Sequence, residues 1–156
     1  MATTPERLLY ELELNYREIL SHLQGLKHEE TLLQLPFGGN CANWVLGHIV
    51  EGRNDMLKFL SLAPLWDERS CQLYRSGSAP IKGVTSPHLS LERLLEDLKI
   101  MHDDLVAGLS SITQARLDEP TAYPEDGGLG NLMARMMWHE TYHLGQLEIL
   151  RHLARP

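Results

Sequence analysis

Residues 131–153 read Asn-Leu-Met-Ala-Arg-Met-Met-Trp-His-Glu-Thr-Tyr-His-Leu-Gly-Gln-Leu-Glu-Ile-Leu-Arg-His-Leu, and this stretch decides the fold. Its apolar residues recur at the spacing of an amphipathic helix. His139 and His143 stand four positions apart in that pattern, so both imidazoles leave the same side of one helix. That side is predicted to face a core, because it forms one stripe with apolar residues: Leu132, Met136, His139, His143, Leu147 and Leu150.

Two adjacent imidazoles in a core are costly unless a partner satisfies their ring nitrogens. A divalent metal ion does so, because neutral imidazoles one helical turn apart can both reach one ion at about 2.0 to 2.1 Å. The alternative interpretation is a pair of core histidines that hydrogen-bond to neighbouring groups. We expect a metal site, with a third ligand from elsewhere in the chain.

The sequence His139-Glu140-x-x-His143 also matches the motif of zincin metalloproteases, in which the glutamate is the general base. The extended metzincin motif needs glycine and histidine where this chain has Gln146 and Ile149. Glu140 follows a core-facing histidine by one position and therefore turns about 100° away from it. We expect Glu140 to be a solvated or interhelical acid, and the third metal ligand to lie upstream.

Length and charge narrow the class of protein. A chain of 156 residues suits a single domain, residues 1–156, with a sizeable core. The formal net charge of −7 argues against nucleic acid and anionic membranes as partners. No apolar run reaches about 18 residues, and no secretory signal is visible at the start. We therefore expect a soluble cytoplasmic protein.

The two cysteines, Cys41 and Cys71, lie in different parts of the chain. Their spacing indicates neither a zinc knuckle nor a disulfide framework, so reduced thiols are expected. Cys41 lies just ahead of a predicted helix start, where a thiolate would be favoured. Small apolar packing is the commoner use of cysteine, and we do not assign Cys41 as a nucleophile.

Four amphipathic segments account for most of the chain, and neither a strand nor an internal repeat is predicted. Such a set predicts an all-α, four-helix bundle. Residues 61–89 carry several prolines and glycines and predict a crossover or a lid, in which Trp66 and Tyr74 pack over the bundle. The predicted helices run from Pro5 to Leu23 or Leu26 after a Thr3 or Thr4 cap, from Asn43 to Leu60 after an Asn40 or Asn43 cap, from the Ser90 cap to Ile112, and through residues 131–153.

The second and third helices each place a histidine in a core stripe. Gly47 and Gly52 flank His48, and they predict the close approach of a neighbour, because glycine inside a helix costs about 1 kcal/mol relative to alanine. His102 stands alone on the third helix, so we expect a hydrogen-bonded core or rim residue. The bundle interior would bring His48 against the histidine pair of the last helix. Three histidine ligands leave open coordination positions, as a catalytic rather than a structural ion requires.

Two motifs occur in order along the chain: Asn43-Trp44-Val45-Leu46-Gly47-His48-Ile49 and, much later, His139-x-x-x-His143-x-Gly145-Gln146-Leu147. With the long crossover between them, they resemble the DinB/YfiT-like superfamily of metal-binding four-helix bundles over nearly the whole chain. The resemblance implies an up-up-down-down bundle that is commonly dimeric. It also implies a divalent ion, zinc or nickel, on His48, His139 and His143. For Gln146 the hypothesis is a contact that orients a ligand histidine.

Proteins of that superfamily include thiol S-transferases and isomerases that use bacillithiol, mycothiol or glutathione. The leading hypothesis is therefore a homodimeric, metal-dependent enzyme that acts on small molecules and transfers a low-molecular-weight thiol. Arg69, Arg75 and Lys82 of the connectors could bind the carboxylates of a peptidic thiol, or they could be solvated charges. Two other functions stay open: a metal-dependent hydrolase, and a non-catalytic metal-binding or interaction module.

Overall fold

The computed structural model describes residues 3–154, and this part of the chain is helical with no β-strand. The predicted all-α class is therefore confirmed. Four long helices form a bundle, while two short helices and two 3₁₀ turns lie in the connections. In chain order the α-helices are α1 (Pro5–Leu23), α2 (Ala42–Phe59), α3 (Glu68–Tyr74), α4 (Leu91–Ser111), α5 (Gln114–Leu117) and α6 (Leu129–Ala154), and the 3₁₀ turns are Glu29–Leu32 and Pro124–Asp126.

Capping side chains explain where two of the long helices begin. Thr4 and Ser90 accept a hydrogen bond from a backbone N–H in the first turn of α1 and α4, as predicted. α2 begins instead after Cys41, whose side chain makes no capping bond. The predicted asparagine cap is wrong because Asn43 lies inside α2, where its amide donates to the backbone carbonyl of Leu89 at 2.9 Å. This bond ties the start of α2 to the segment that leads into α4.

The contacts between α1 and α6 show that these two helices run parallel. The Asn15 amide donates to the Met137 carbonyl at 3.0 Å. Further along both helices, the Arg151 guanidinium donates to the Ser21 carbonyl at 2.6 Å. Residue numbers therefore rise together on α1 and α6.

α2 runs against α6 and alongside α4. Val45 lines one cavity with Leu150, whereas Arg53, two turns later in α2, bonds to Glu140, which is earlier in α6. The same Arg53 lies 3.3 Å from the ring of His102 in the middle of α4. Since the start of α2 is already tied to the segment before α4, these two helices point the same way.

The four long helices thus run up, down, down and up, which corrects the up-up-down-down order that the resemblance implied. An up-up-down-down bundle needs two long crossover connections. This chain has one, residues 60–90, between the parallel helices α2 and α4, and it contains α3. The other two connections between long helices, α1 to α2 and α4 to α6, each join antiparallel neighbours. Each of them therefore stays at a single end of the bundle. The predicted crossover is in place, and Trp66 and Tyr74 within it are buried as expected.

α6 is buried over a wider arc than the predicted stripe. Leu132, His143, Leu147 and Leu150 of that stripe are buried, but Met136 and His139 are only half-buried. A second buried line lies beside it because α6 packs against both α1 and α2. The additional buried residues are Leu129, Gly130, Met133, Met137, Glu140 and Leu144. Apolar as α6 is, no helix within residues 3–154 is long and apolar enough to cross a membrane.

Candidate metal centre

Three imidazoles from two helices meet in the upper part of the bundle, near the start of α2. The ring of His48 lies 5.2 Å from that of His139 and 4.8 Å from that of His143, measured between centroids. The two rings of α6 are 4.5 Å apart. One ring nitrogen from each residue lies within 4.8 Å of the others, so the three could together hold one metal ion.

The spacing of the α6 pair fits a shared ion. The Nε2 atoms of His139 and His143 are 3.1 Å apart. Two nitrogens that bind one ion tetrahedrally, each at about 2.0 to 2.1 Å, lie roughly 3.3 Å from each other. The four-residue spacing on one helix therefore brings these two donors within a few tenths of an ångström of the separation that ligation requires.

The crossover fixes the orientation of His48. Its Nδ1 lies 2.8 Å from the backbone carbonyl oxygen of Tyr74, the last residue of α3. A carbonyl only accepts, so the proton lies on Nδ1 and Nε2 keeps its lone pair for an ion. The indole of Trp44 stacks on the His48 ring with centroids 5.0 Å apart, and its N–H donates to Ser78 of the crossover.

Gly47 allows α3 to approach α2 so closely. A Cβ at this position would lie 2.1 Å from Cδ1 of Tyr74, whose carbonyl orients His48. A side chain at position 47 would therefore displace the partner of the neighbouring histidine. The predicted close approach is confirmed here, but it is wrong at Gly52, where the nearest atom, from Met136, would be at an ordinary contact distance of 3.7 Å.

Gln146 orients the second histidine of α6. Its side-chain oxygen lies 2.7 Å from Nδ1 of His143, one helical turn earlier. The amide oxygen accepts the Nδ1 proton, so Nε2 of His143 is the nitrogen that remains for ligation. Gln146 thus makes the orienting contact that the sequence hypothesis assigned to it.

Burial keeps the three rings in the neutral form. Loss of hydration lowers the pKa of His48 and of His139, and it lowers the pKa of His143 to about 4. Repulsion between the rings lowers the pKa of His48 and His143 further. Only a neutral imidazole can ligate a metal, so at neutral pH the cluster is ready to do so without first releasing protons.

Glu140 is occupied by a buried ion pair with α2. Its two carboxylate oxygens accept hydrogen bonds from Nε and Nη2 of Arg53, each at 2.8 Å. Arg53 has 0% of its surface exposed and Glu140 has 5%. The interhelical alternative for Glu140 is confirmed and the solvated one is wrong. Both oxygens of this carboxylate are already held by the guanidinium, so neither is free to accept a proton from a substrate, and Glu140 is poorly placed to act as a general base.

His102 belongs to the Arg53 network and lies outside the histidine cluster. Its Nδ1 is 3.3 Å from Nη1 of Arg53 and accepts, because a guanidinium only donates. The Nε2–H then donates to the Glu13 carboxylate at 3.1 Å. Tyr16 stacks on the ring with centroids 3.9 Å apart. The prediction of a hydrogen-bonded core residue is confirmed.

The cysteines and Arg75, one of the basic residues considered for binding a peptidic thiol, are engaged elsewhere. Cys41 and Cys71 are both buried, and burial raises the pKa of each thiol, which disfavours a nucleophilic thiolate. Arg75 forms two hydrogen bonds with Glu68 and lies 3.6 Å from a carboxylate oxygen of the buried Glu51. The guanidinium of Arg75 is therefore already paired within the chain.

Two groups that shape this region escaped the sequence reasoning. Arg53 lies four residues after the core-facing Ile49 and therefore on the same side of α2. A charged residue at such a position indicates that it has a buried partner of opposite charge, and this was the signal available in the sequence. The Tyr74 carbonyl gave no signal, since a backbone acceptor has no sequence identity. The donor set as built, with three neutral rings and two of their N–H groups tied down, fits a divalent ion.

Comparison with known protein families identifies the superfamily of this helical bundle. Residues 11–147, which include all three histidines of the cluster, match the family model of the DinB superfamily. A search of curated proteins finds no match. The match spans most of the chain and agrees with the all-helical bundle, so the chain belongs to the DinB superfamily.

Proposed function

We propose that this protein is a divalent-metal-dependent enzyme that acts on small molecules, and that it transfers a low-molecular-weight thiol to an electrophile. The observation that carries the proposal is the meeting of three neutral imidazoles, two of which are held with Nε2 unprotonated. His48, His139 and His143 would be the ligands. The ion is zinc or nickel, since imidazole suits both. Membership of the DinB superfamily supports the ligand set.

The site chemistry follows from the donor set. Three protein ligands leave coordination positions open for a substrate. When bound, the ion would supply the positive charge that favours the anionic form of a thiol over the neutral form. The chain's own task is to hold the rings neutral and oriented. The pairing of Glu140 with Arg53 argues against the zincin type of hydrolase, in which that glutamate would be the base.

Metal analysis tests the ligand set. We expect one ion per chain in the wild type, and loss of most of it in His48→Ala, His139→Ala and His143→Ala. His152→Ala is the matched control, because His152 is exposed on α6 and should retain the ion. Full retention in any of the three ligand variants would refute the assignment. Circular dichroism after chelation should still show a helical protein, because the core is built from apolar side chains.

Cobalt substitution tests the thiol. Titration of the cobalt protein with bacillithiol, mycothiol, glutathione and cysteine should produce a thiolate-to-metal charge-transfer band that weakens as the pH is lowered. The S-methylated form of each thiol is the control and should produce no such band. Any binder is then assayed with a panel of electrophiles. Hydrolysis of simple esters or amides without a thiol effect would favour the hydrolase, and neither response would favour the non-catalytic module.

We also propose that the protein is a cytoplasmic homodimer. Trp138, Tyr142 and Ile149 are 68%, 58% and 58% exposed, and their spacing puts them on one face of α6. Gly145 lies on the same face, with open space where a side chain would be. This apolar face supports a self-complementary contact. Trp138→Glu should yield a monomer in sedimentation equilibrium. The control Tyr10→Glu should not, because Tyr10 is an exposed aromatic residue on a different helix, α1.

A further inference from the structure

A cavity of about 360 Å³ lies between the start of α2, the end of α6 and the loop that precedes α2. We call it the α2–α6 cavity. It is among the larger cavities in residues 3–154, and the site described above did not account for it. Its lining residues are Leu35, Phe37, Gly38, Gly39, Asn40, Val45, Gln146, Ile149 and Leu150.

The α2–α6 cavity is directly next to the histidine cluster. Val45 in its wall lies one helical turn before His48, and Gln146 lies one turn after His143. Because α2 and α6 are antiparallel, both displacements lead toward the same end of the bundle. The cavity is therefore one turn above the three rings, at the end where α2 begins. A ligand held in the cavity would therefore lie about one helical turn from the three rings.

The wall of the cavity has no ionisable side chain. Five of its members are leucine, isoleucine, valine or phenylalanine, two are glycines, and the polar members are the carboxamides Asn40 and Gln146. A charged group that entered this space would lose hydration without meeting an opposite charge, which is costly. An apolar group would lose only its contact with water, which is favourable. The wall therefore selects for an uncharged and largely apolar occupant.

Gln146 connects the cavity to the histidine cluster. Its oxygen is taken by His143, while its Nε2 group makes no hydrogen bond within residues 3–154. An amide that is anchored through its oxygen presents its two N–H donors in a fixed orientation. A carbonyl or similar acceptor on a ligand in the cavity would satisfy one of these donors.

We propose that the α2–α6 cavity binds the uncharged, apolar part of the electrophilic substrate, and that Gln146 donates a hydrogen bond to a carbonyl-type oxygen on it. This inference rests on the proposed function, because it takes the three histidines as the reacting centre. It assigns the cavity to the electrophile, since glutathione and bacillithiol carry carboxylates and mycothiol carries many sugar hydroxyls, and this largely apolar wall matches neither. Gln146 is then a positioning residue for both His143 and the substrate.

The test uses two ligands that differ by one charge: N-benzylacetamide and 4-(acetamidomethyl)benzoate. Each is titrated into ¹⁵N-labelled full-length protein, both metal-loaded and metal-free. We expect N-benzylacetamide to shift the side-chain amide of Gln146 and the backbone amides of Gly38 and Gly39 in both forms. The carboxylate analogue should bind at least about tenfold more weakly, because its charge would be desolvated without a partner.

A matched pair of variants locates the site. Leu35→Asp puts a charge into the wall and should weaken N-benzylacetamide at least about tenfold. Leu33→Asp is the control, because Leu33 is exposed on the same segment and does not line the cavity, so its affinity should equal that of the wild type. Equal affinity for the two ligands, or shifts that spare Gln146 and both glycines, would overturn the proposal whether or not the variants fold.

The outcomes separate this inference from the proposed function. If N-benzylacetamide binds as expected while the histidine variants retain metal or no thiol reaches the ion, the cavity stands as a site for an uncharged apolar ligand, and both the thiol transferase and the role of that ligand as its electrophile fall. If metal and thiol bind as expected but the ligand does not, the cavity assignment falls alone. Closure of the cavity by a second copy of the chain would appear as ligand binding that strengthens on dilution, and this result would also overturn the proposal.

Discussion

Replacing Glu140 by glutamine should destabilise the protein far more than a change of one atom suggests, because it strips a buried arginine of its counter-charge. Arg53 is 0% exposed and donates two hydrogen bonds of 2.8 Å to the carboxylate. Glutamine offers one acceptor and turns an NH₂ group toward the other guanidinium N–H. The ring of His102, 3.3 Å from the same guanidinium, supplies only an uncharged acceptor.

The expected cost of Glu140→Gln is about 3–5 kcal/mol, the range for an ion pair that is broken by removing one partner. Total stabilities of domains are about 5–15 kcal/mol, so the variant would lose a large share of it. The corresponding fall in Tm is about 6–20 °C for a chain of this length. Removing both charges should cost much less, because apolar residues of similar volume often replace buried pairs without loss. Arg53→Met combined with Glu140→Leu should therefore recover most of the stability.

The assay is urea unfolding of the metal-free protein, followed by far-UV circular dichroism. It compares the wild type, Glu140→Gln, the single variants Arg53→Met and Glu140→Leu, and the double variant that combines these last two. The coupling energy of the double-mutant cycle measures the pair directly. Asp103→Asn is the surface control, since it breaks an exposed pair with Lys99 and should leave the urea midpoint unchanged. If Glu140→Gln unfolded at the wild-type midpoint, or if the double variant were as unstable as the two single changes added together, the reasoning would be wrong.

Three further predictions concern the two glycines of α2, His102, and the pair formed by His28 and His88. Gly47→Ala should lower both Tm and metal retention, because the alanine methyl group would clash with the aromatic ring of Tyr74. Gly52→Ala should keep the metal and gain up to about 1 kcal/mol of stability from helix propensity. Thermal unfolding and metal analysis test both variants. Burial, together with the neighbouring Arg53 guanidinium, lowers the pKa of His102. On acidification the unfolded chain therefore binds a proton at His102 before the folded chain does, so the free energy of unfolding should fall as the pH drops below about 6.5. In His102→Gln this fall, followed by urea unfolding at several pH values, should be less steep. In ¹⁵N NMR, His28 should carry its proton on Nε2, because the backbone N–H of Leu91 donates to its Nδ1. His88 should carry its proton on Nδ1, because that atom donates to the Ser86 carbonyl. The opposite tautomers would contradict the hydrogen bond that links the two Nε2 atoms at 3.1 Å.

The long helices and the histidine cluster were predictable because both are written in local periodicity. His139 and His143 share a helix face by their spacing alone, and His48 shares one with apolar residues of α2. A bundle that buries the histidine-bearing faces of α2 and α6 brings the three rings together in its interior. No knowledge of the connections was needed for that conclusion, which is why it holds although the predicted order of helix directions does not.

α3 could not be predicted, because it is too short for a periodic pattern. It has seven residues, of which only Cys71 and Tyr74 are buried. Asp67 caps it by accepting a hydrogen bond from the N–H of Ser70 at 2.8 Å, a pattern that also occurs in isolated turns. The helix exists because Gly47 gives it a place to pack, so its cause lies in the tertiary structure.

The pairing of Arg53 with Glu140 was hidden for a different reason. The two residues are 87 positions apart, and either one alone would be placed in solvent by composition. Their positions on core-facing arcs of two helices carried the signal that each needs a partner. The sequence could not show which residue meets which, because that depends on the antiparallel register of α2 against α6.

At the histidine cluster, the positions of the rings and their tautomers are set by different parts of the structure. Helix periodicity brings the three rings together, but it does not decide which nitrogen of each ring carries the proton. For His48 that decision belongs to the Tyr74 carbonyl, and for His143 to the Gln146 amide oxygen. A neutral ring protonated on the wrong nitrogen is near an ion and yet cannot bind it. The crossover is therefore part of the candidate metal centre even though it contributes none of the three histidines, and a change such as Gly47→Ala should weaken metal binding while leaving all three histidines in the chain.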